Sequence, residues 1–311
     1  MLRIVTPGLQ TTLQGAPRRG YRHFGIPYAG PADAISMALA NRLVRNPIDV
    51  TSLEITYGGF AADALSDCAV AITGAHGGIK VSGRSQPAHT TLHLRAGDRI
   101  EIAPPVHGMR AYLAIRSGFR AQEAFESTST YLPAEFGGQD GRALRTGDEI
   151  KALGTSVMDE TLETPSDYQI SFSGALALRA CPSAETDLLA KADRQTLFAE
   201  TFVAGRQATR MGVSLTGHSI APKSDGKMKS AAVFPGIIQC PPSGTPVVLL
   251  CDAQTTGGYP RIASVARCDR HLLGQIRPGD HIQLLERSPE AALRDHAEKQ
   301  KLLDAWLRPN A

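Results

Sequence analysis

No excess of charge of either sign marks this chain. Lysine and arginine number 33 against 30 aspartates and glutamates, a formal net charge of +3 spread over 311 residues. That balance excludes the basic stripe by which nucleic-acid proteins bind phosphate backbones. No apolar run reaches 18 residues, so no membrane-spanning helix is expected. The five cysteines (Cys68, Cys181, Cys240, Cys251 and Cys268) are odd in number and contain no C-x-x-C pair. Neither a disulfide framework nor a zinc knuckle is supported, and scattered thiols fit a reducing cytoplasm. The opening Met1–Gly8 has no charged stretch followed by an apolar one, so no secretory leader is expected. The chain also lacks GxxxxGK[ST], GxSxG, HExxH and an EF-hand loop. His89 and His93 stand four apart, but His93 falls in a strand-like segment, and no metal site is expected.

What is present describes a globular protein. Hydrophobic residues make up 42% and charged residues 20%, which excludes disorder over the whole length. The length fits two domains, with a division at 1–155 and 156–311. Thirty glycines and twenty prolines are spread along the chain, the pattern of many short elements joined by turns. Alternating segments predict strands at Ala69–Thr73, Thr91–Leu94, Arg99–Ile102 and Ala111–Ile115. Others are predicted at Ala175–Ala180, Pro246–Leu250 and His281–Leu285. Gly-Asp-x-Ile recurs at Gly97, Gly147 and Gly279. It fits three unrelated turns and a repeated barrel element equally well.

Helices are few. Ile35, Leu39 and Leu43 place one over Ala32 to about Arg45, with Asp33 as its cap and Asn46-Pro47 beyond its end. A weaker one covers Ala184–Phe198. At the C-terminus Ser288 caps a helix from Pro289 to Leu307, ended by Arg308-Pro309, with so few apolar positions that it lies along a surface. Residues 151–168 are polar, aperiodic and carry four acids, which reads as a linker between two β-rich halves.

The chemistry concentrates in irregular, glycine-rich words. An apolar run at Val247–Leu250 delivers Asp252, Gln254, Thr255 and Thr256 to a strand end, where Gly257-Gly258, Tyr259 and Arg261 follow. Amides around the two glycines form an expected anion nest, with Arg261 as a planar fork on the same anion. Gln239, Ser129 and Thr130 stand in similar stretches. His23 follows Tyr21-Arg22 in a loop and is a candidate acid–base group through its pKa near neutrality. Glu54, between Leu53 and Ile55, is either solvent-facing or a paired buried acid.

Ten words carry a family resemblance: PGLQTTLQ, GYRHFGIP, GPAD, ALANRLV, SLEIT, HGMRAYLA, STYLP, GGQDGR, RMG and DAQTTGGYPRIA. In this order they resemble the biotin-dependent carboxyltransferase-like family that includes allophanate hydrolase subunit 2 and KipA proteins. HGMRAYLA, CDAQTTGGYPRIA and the SPEAAL helix are most similar to the branch of that family formed by the C subunits of bacterial 5-oxoprolinases. Gln14-Gly15 departs from the Gln-Asp often found there, and Ala208-Thr209 from the Ser-Asp or Ser-Asn before Arg-Met-Gly.

The resemblance implies a mainly β fold of two cyclophilin-like β-barrel subdomains with a cleft between them and a C-terminal helix. It implies ATP-dependent opening of 5-oxoproline to L-glutamate, with ATP, accompanied by Mg, as co-substrate. The implied partners are a KipI-like B subunit and the A subunit of the same 5-oxoprolinase. His23, Asp252 and Arg210 are then the catalytic candidates. Gln239, Gln254, Thr255, Thr256, Gly257, Gly258, Tyr259, Arg261, Ser129 and Thr130 are the binding candidates. Two alternatives follow from the same family. One is transfer of a carboxyl group from carboxybiotin to a urea-like or amide nitrogen, which brings in biotin. The other is a KipA-like binder that neutralises a KipI-like kinase inhibitor without turnover.

Overall fold

Strands with both faces covered shape the first half of the chain. The computed structural model describes residues 1–223 and 228–308, and the chain divides into two units. Unit 1 is Met1–Arg19 with Ala29–Phe172; unit 2 is Gly20–Tyr28 with Ser173–Ala311. Unit 1 holds two antiparallel sheets. One runs Glu149–Ile150, Leu2–Pro7, Phe60–Ala64, Arg99–Ile102, Ile79–Val81, Arg84–Gln86. The other runs Gln10–Gln14, Ser52–Thr56, Arg110–Ile115, Cys68–Gly74, Thr91–Leu94.

Arg110–Ile115 is buried at every position. Ala111, Leu113 and Ile115 enter the main core with Leu2, Ile4, Leu53 and Ile72. Tyr112 and Ala114, on the other face, pack against Met37, Ala40, Leu43 and Val44, at or just beyond helix α1 (Ala34–Leu43). A sheet covered on both faces needs such apolar continuity. The α1 cap is as expected: the Asp33 carboxylate accepts from Ile35 N at 3.1 Å, Ser36 N at 3.0 Å and the Ser36 hydroxyl at 2.6 Å. The helix is shorter than its periodicity implies, because Asp33 is its cap and Arg45 turns to a left-handed φ of 53°.

Glu54 is a paired buried acid. Its carboxylate accepts from the Tyr112 hydroxyl at 2.7 Å and Ala32 N at 2.8 Å, and Arg110 Nε lies 3.3 Å away. The SLEIT strand is therefore covered on both faces, and an acid survives there only because it is fully bonded.

Residues 151–168 are not a linker. Ser156 O accepts from Ala69 N, Leu162 O from Thr91 N, and Thr164 N donates to His89 O. Met158 and Leu162 pack on the α1 cluster. The segment is a polar strap along a sheet edge, so its composition reflects its outer face. The crossing into unit 2 comes at Phe172–Ser173, later than the expected 155–156 boundary, and Gly20–Tyr28 joins unit 2 as well.

Unit 2 is a closed seven-stranded barrel. Its order is Ala175–Pro182, Arg261–Val265, Ile237–Gln239, Val247–Leu249, Gly212–Thr216, Thr201–Ala204, His281–Glu286. It closes through the parallel pairing of Ala175–Ala180 with His281–Glu286. The core gathers Leu178, Phe202, Leu215, Ile238, Val248, Ile262 and Ile282. Helix α2 (Lys191–Ala199) is the shorter form of the expected Ala184–Phe198 helix. Helix α3 (Pro289–Leu307) has Ser288 as its cap, accepting from Ala291 N at 3.2 Å. It lies along the surface, with Leu293 and Leu302 exposed. Pro309 lies outside the described residues. The chain is thus mainly β with few helices, as expected.

The Gly-Asp-x-Ile turns are one repeated element. Gly97, Gly147 and Gly279 have φ of 95°, 90° and 91°. In each, the Asp carboxylate accepts from the backbone N–H three residues earlier, at 2.8, 2.7 and 2.8 Å from Arg95, Arg145 and Arg277. In each, the glycine N–H donates to a neighbouring strand, to Ala64, Ile4 and Ala204. The left-handed glycine and the Asp acceptor together close the turn and set strand register.

His89 supplies a test of unit 1. It is 7% exposed, and its Nδ1 is buried without a hydrogen-bond partner. Burial, reinforced by the neighbouring His76, lowers its pKa from 6.5 to about 4. Above pH 6.5 both folded and unfolded states hold it neutral. Between pH 6.5 and 4 the unfolded state binds the extra proton, so stability falls as pH falls and levels off below about 4. The loss from this group is about 3 kcal/mol. His89→Asn, which tolerates the left-handed φ of 59°, is expected to flatten the pH dependence of urea midpoints over this window. An unchanged slope overturns the assignment.

Candidate functional site

The word that follows the Val247–Leu249 strand is pinned from below. Leu250 N donates to Met211 O and Asp252 N to Arg210 O, continuing the strand pairing. The side chains then join: Arg210 Nε donates to Asp252 Oδ2 at 2.8 Å and Arg210 Nη2 to Asp252 Oδ1 at 2.9 Å. Arg210 is 5% and Asp252 1% exposed. Two of the three expected catalytic groups, Arg210 and Asp252, thus form a buried, bidentate pair that holds the turn.

Arg261 is likewise committed. Its Nε donates to Glu185 Oε2 at 2.7 Å, its Nη2 to Glu185 Oε1, and its Nη1 to Ala232 O at 3.2 Å. The Arg261 fork holds the Glu185 carboxyl below the usual carboxylate range. An anion fork at Arg261 is therefore already occupied by the protein's own acid. Glu185 lies 76 residues away in sequence, and nothing in its local context marks it.

Gly257 and Gly258 do not form the expected nest. Neither has a positive φ, which an amide nest requires at one of its residues. Thr256–Gly257 instead pairs with Ala231–Ala232 as a two-stranded ribbon. Gly257 is small for a packing reason: a Cβ there would stand 2.6 Å from Gln239 Nε2. Gln239, buried, donates to Tyr259 O at 3.2 Å and accepts from Gln254 Nε2 at 3.2 Å. One amide thus ties Gln254, Gly257 and Tyr259 together.

Exposure sorts the rest. Gln254 and Thr256 are exposed, and Tyr259 is 47% exposed. These are the side chains of the word that can meet a ligand from solvent. Thr255 contributes its backbone, accepting from Val233 N at 3.1 Å and from Arg22 Nη2 at 3.4 Å. Arg22 belongs to the Gly20–Tyr28 segment, so the GYRHFGIP and DAQTTGGYPRIA words meet within unit 2. His23, beside it, is exposed, its ring 3.8 Å from the Phe24 ring. Ser129 and Thr130 lie in unit 1, fully buried. The Ser129 hydroxyl accepts from Gly15 N at 3.0 Å, and the Thr130 hydroxyl donates to Leu13 O at 2.9 Å. Those hydroxyls complete the backbone of the PGLQTTLQ region.

Comparison with known proteins places these words in a family. Residues 24–286 match the family model described as carboxyltransferase domain, subdomain A and B. Over 308 residues the chain is 34% identical to the C subunit of 5-oxoprolinase from Escherichia coli (strain K12), covering 98% of both chains. It is 27% identical to urea amidolyase of Saccharomyces cerevisiae, spanning 94% of this chain and 17% of that protein. The crystal structure of the K. lactis urea amidolyase superposes with a TM-score of 0.92 at 25% identity. It covers 98% of this chain and 20% of that one.

The closed pair makes a stability prediction. Asp252→Ala leaves a buried guanidinium without its carboxylate and is expected to cost about 3–5 kcal/mol. The double variant Arg210→Met with Asp252→Leu is expected to recover part of that loss. Chemical denaturation checks both. An Asp252→Ala protein as stable as its parent contradicts the structural role.

Proposed function

As the chain belongs to the carboxyltransferase-domain family of subdomains A and B, we propose that it is the C subunit of an ATP-dependent 5-oxoprolinase. The observation that carries this reading is end-to-end similarity to such a C subunit, over 98% of each chain. By contrast, the chain spans only 17% of the urea amidolyase it resembles. It works with a KipI-like B subunit and an A subunit on 5-oxoproline and ATP, giving L-glutamate, ADP and phosphate.

The chemistry accounts for the ATP. A lactam amide is a poor electrophile. Transfer of the γ-phosphoryl to the lactam oxygen releases ADP and makes that oxygen part of a leaving group. Water adds to the activated carbon, the ring C–N bond breaks and the nitrogen takes up protons. Hydrolysis of the remaining acyl phosphate frees phosphate and glutamate. Preorganised N–H donors stabilise the charge that develops on the transferred oxygens. Among the described residues no three His, Cys, Asp or Glu side chains gather to hold a metal. The exposed Gln254, Thr256 and Tyr259 are the unit 2 side chains that position substrate. His23, next to the Arg22 that reaches Thr255 O, is the exposed titratable group of the adjoining segment.

The fold match to urea amidolyase favours a second reading, carboxyl transfer from carboxybiotin to a urea-like or amide nitrogen. A coupled assay separates the two. The chain is purified with its own KipI-like B subunit and its A subunit, and ADP and glutamate are followed with and without 5-oxoproline. Release of both products is expected only with all three subunits and substrate. Gln254→Ala is expected to lower kcat/KM by about tenfold or more, a loss on the order of 1.4 kcal/mol, and to lower Tm modestly because the buried Gln239 Oε1 loses its donor. A well-formed complex that releases neither product overturns the oxoprolinase reading. Carboxybiotin with urea-like amides is then the next assay, and binding of the partner without turnover marks a KipA-like regulator.

A further inference from the structure

Among the described residues of unit 2, the least exposed ion-paired arginines are Arg210 with Asp252, Arg261 with Glu185, and Arg179 with Asp269. Two others, also withdrawn from water, are not so paired. Arg22 rests between two aromatic rings, its guanidinium carbon 4.7 Å from the Tyr28 centroid and 4.9 Å from that of Phe234. Its Nη2 donates to the carbonyls of Val233 and Thr255. Its Nη1 is buried with no acceptor. Arg270 lies within electrostatic reach of the same Tyr28. Its Nε donates to Val265 O at 3.2 Å and sits 2.8 Å from where a Cβ on Gly236 would stand. Among the described residues, no carboxylate pairs with either arginine. Asp295, on the helix beside Arg270's segment, is engaged by Arg179 at 3.2 Å and Arg287 at 3.1 Å.

We propose that Arg22 and Arg270, which both pack against the 233–236 segment, form a recognition site for a small oxyanion, a carboxylate or a phosphoryl group. Arg22 and Arg270 lose hydration, Arg267 adds like charge beside Arg270, and neutral carbonyls repay only part of that cost. Aromatic faces hold a guanidinium flat and leave its N–H edge as the free donor surface. A planar or tetrahedral oxyanion supplies the acceptors that Nη1 lacks and neutralises the excess charge. Burial lowers the pKa of both arginines from the ordinary guanidinium value, the direction expected of unneutralised cations. Phe234, 42% exposed, covers one face of Arg22 at the solvent boundary. Thr255, whose carbonyl receives Arg22, ties this site to the DAQTTGGYPRIA word.

The site follows from this geometry alone. Assigning its ligand as the carboxylate of 5-oxoproline, or as the phosphoryl group transferred from ATP, rests on the function proposed above. Calorimetric titration of the full chain at low ionic strength tests both, with inorganic phosphate and 5-oxoproline as separate probes. Saturable binding of at least one is expected. Phosphate alone identifies a phosphoryl site, and 5-oxoproline alone a carboxylate site. Arg22→Gln and Arg270→Gln are each expected to weaken that binding by about tenfold or more, and Arg22→Lys by less. Phenylglyoxal labelling of the unaltered chain, read by mass spectrometry, needs no variant to fold. The bound anion is expected to protect Arg22 and Arg270 and to leave the exposed Arg84 of unit 1 reactive. The proposal is overturned if neither anion saturates, if folded Gln variants bind as the parent does, or if neither arginine is protected. Anion binding without ATP turnover in the complex defeats the oxoprolinase reading and leaves the site standing. Turnover unaffected by either Gln variant defeats the site and leaves that reading standing.

Discussion

A buried guanidinium must be neutralised, and that constraint organises unit 2 around the DAQTTGGYPRIA word. Arg210 and Asp252 meet at the end of the Val247–Leu249 strand and pin the turn at its root. Arg261 and Glu185 pin the same word where it enters the next barrel strand. Between these anchors the backbone pairs with Ala231–Ala232 and leaves Gln254, Thr256 and Tyr259 facing outward. Rigid ends and an open middle are what a binding word needs, because side chains locked by their neighbours meet a ligand without further ordering. The charged residues of such a word therefore divide into those that build it and those left over for a ligand.

That division explains what is legible in the sequence. Strand positions are readable wherever one or both faces are buried: Ala111–Ile115, Ala175–Ala180 and His281–Leu285 all lie in strands. The Asp33 and Ser288 caps are readable because a cap acts on backbone two or three residues away. The site is legible only as a region. Asp252, Arg210 and Arg261 have the residue types of a catalytic or anion-binding set, but their roles depend on partners 42 and 76 residues distant. No local pattern reports such a partner. Gly257-Gly258 misleads for a related reason: a glycine pair reads as a left-handed turn, yet here one of the two is small to admit the Gln239 amide.

The strap at 151–168 shows the same limit from the other side. Polar, aperiodic composition reads as linker, but backbone hydrogen bonds to Ala69, Thr91 and His89 are indifferent to side-chain type. The three Gly-Asp turns are visible as a repeat because there the side chain and a glycine φ do the closing.

The path of the chain carries one more implication. Gly20–Tyr28 belongs to unit 2 although the residues on either side belong to unit 1. Arg22 reaches carbonyls 211 and 233 residues further along the chain. A single cut after Phe172 therefore yields neither unit whole: the first piece carries a segment that has lost its barrel, and the second has lost Arg22 and Tyr28. A ribosome must finish the barrel before Arg22 has anywhere to go.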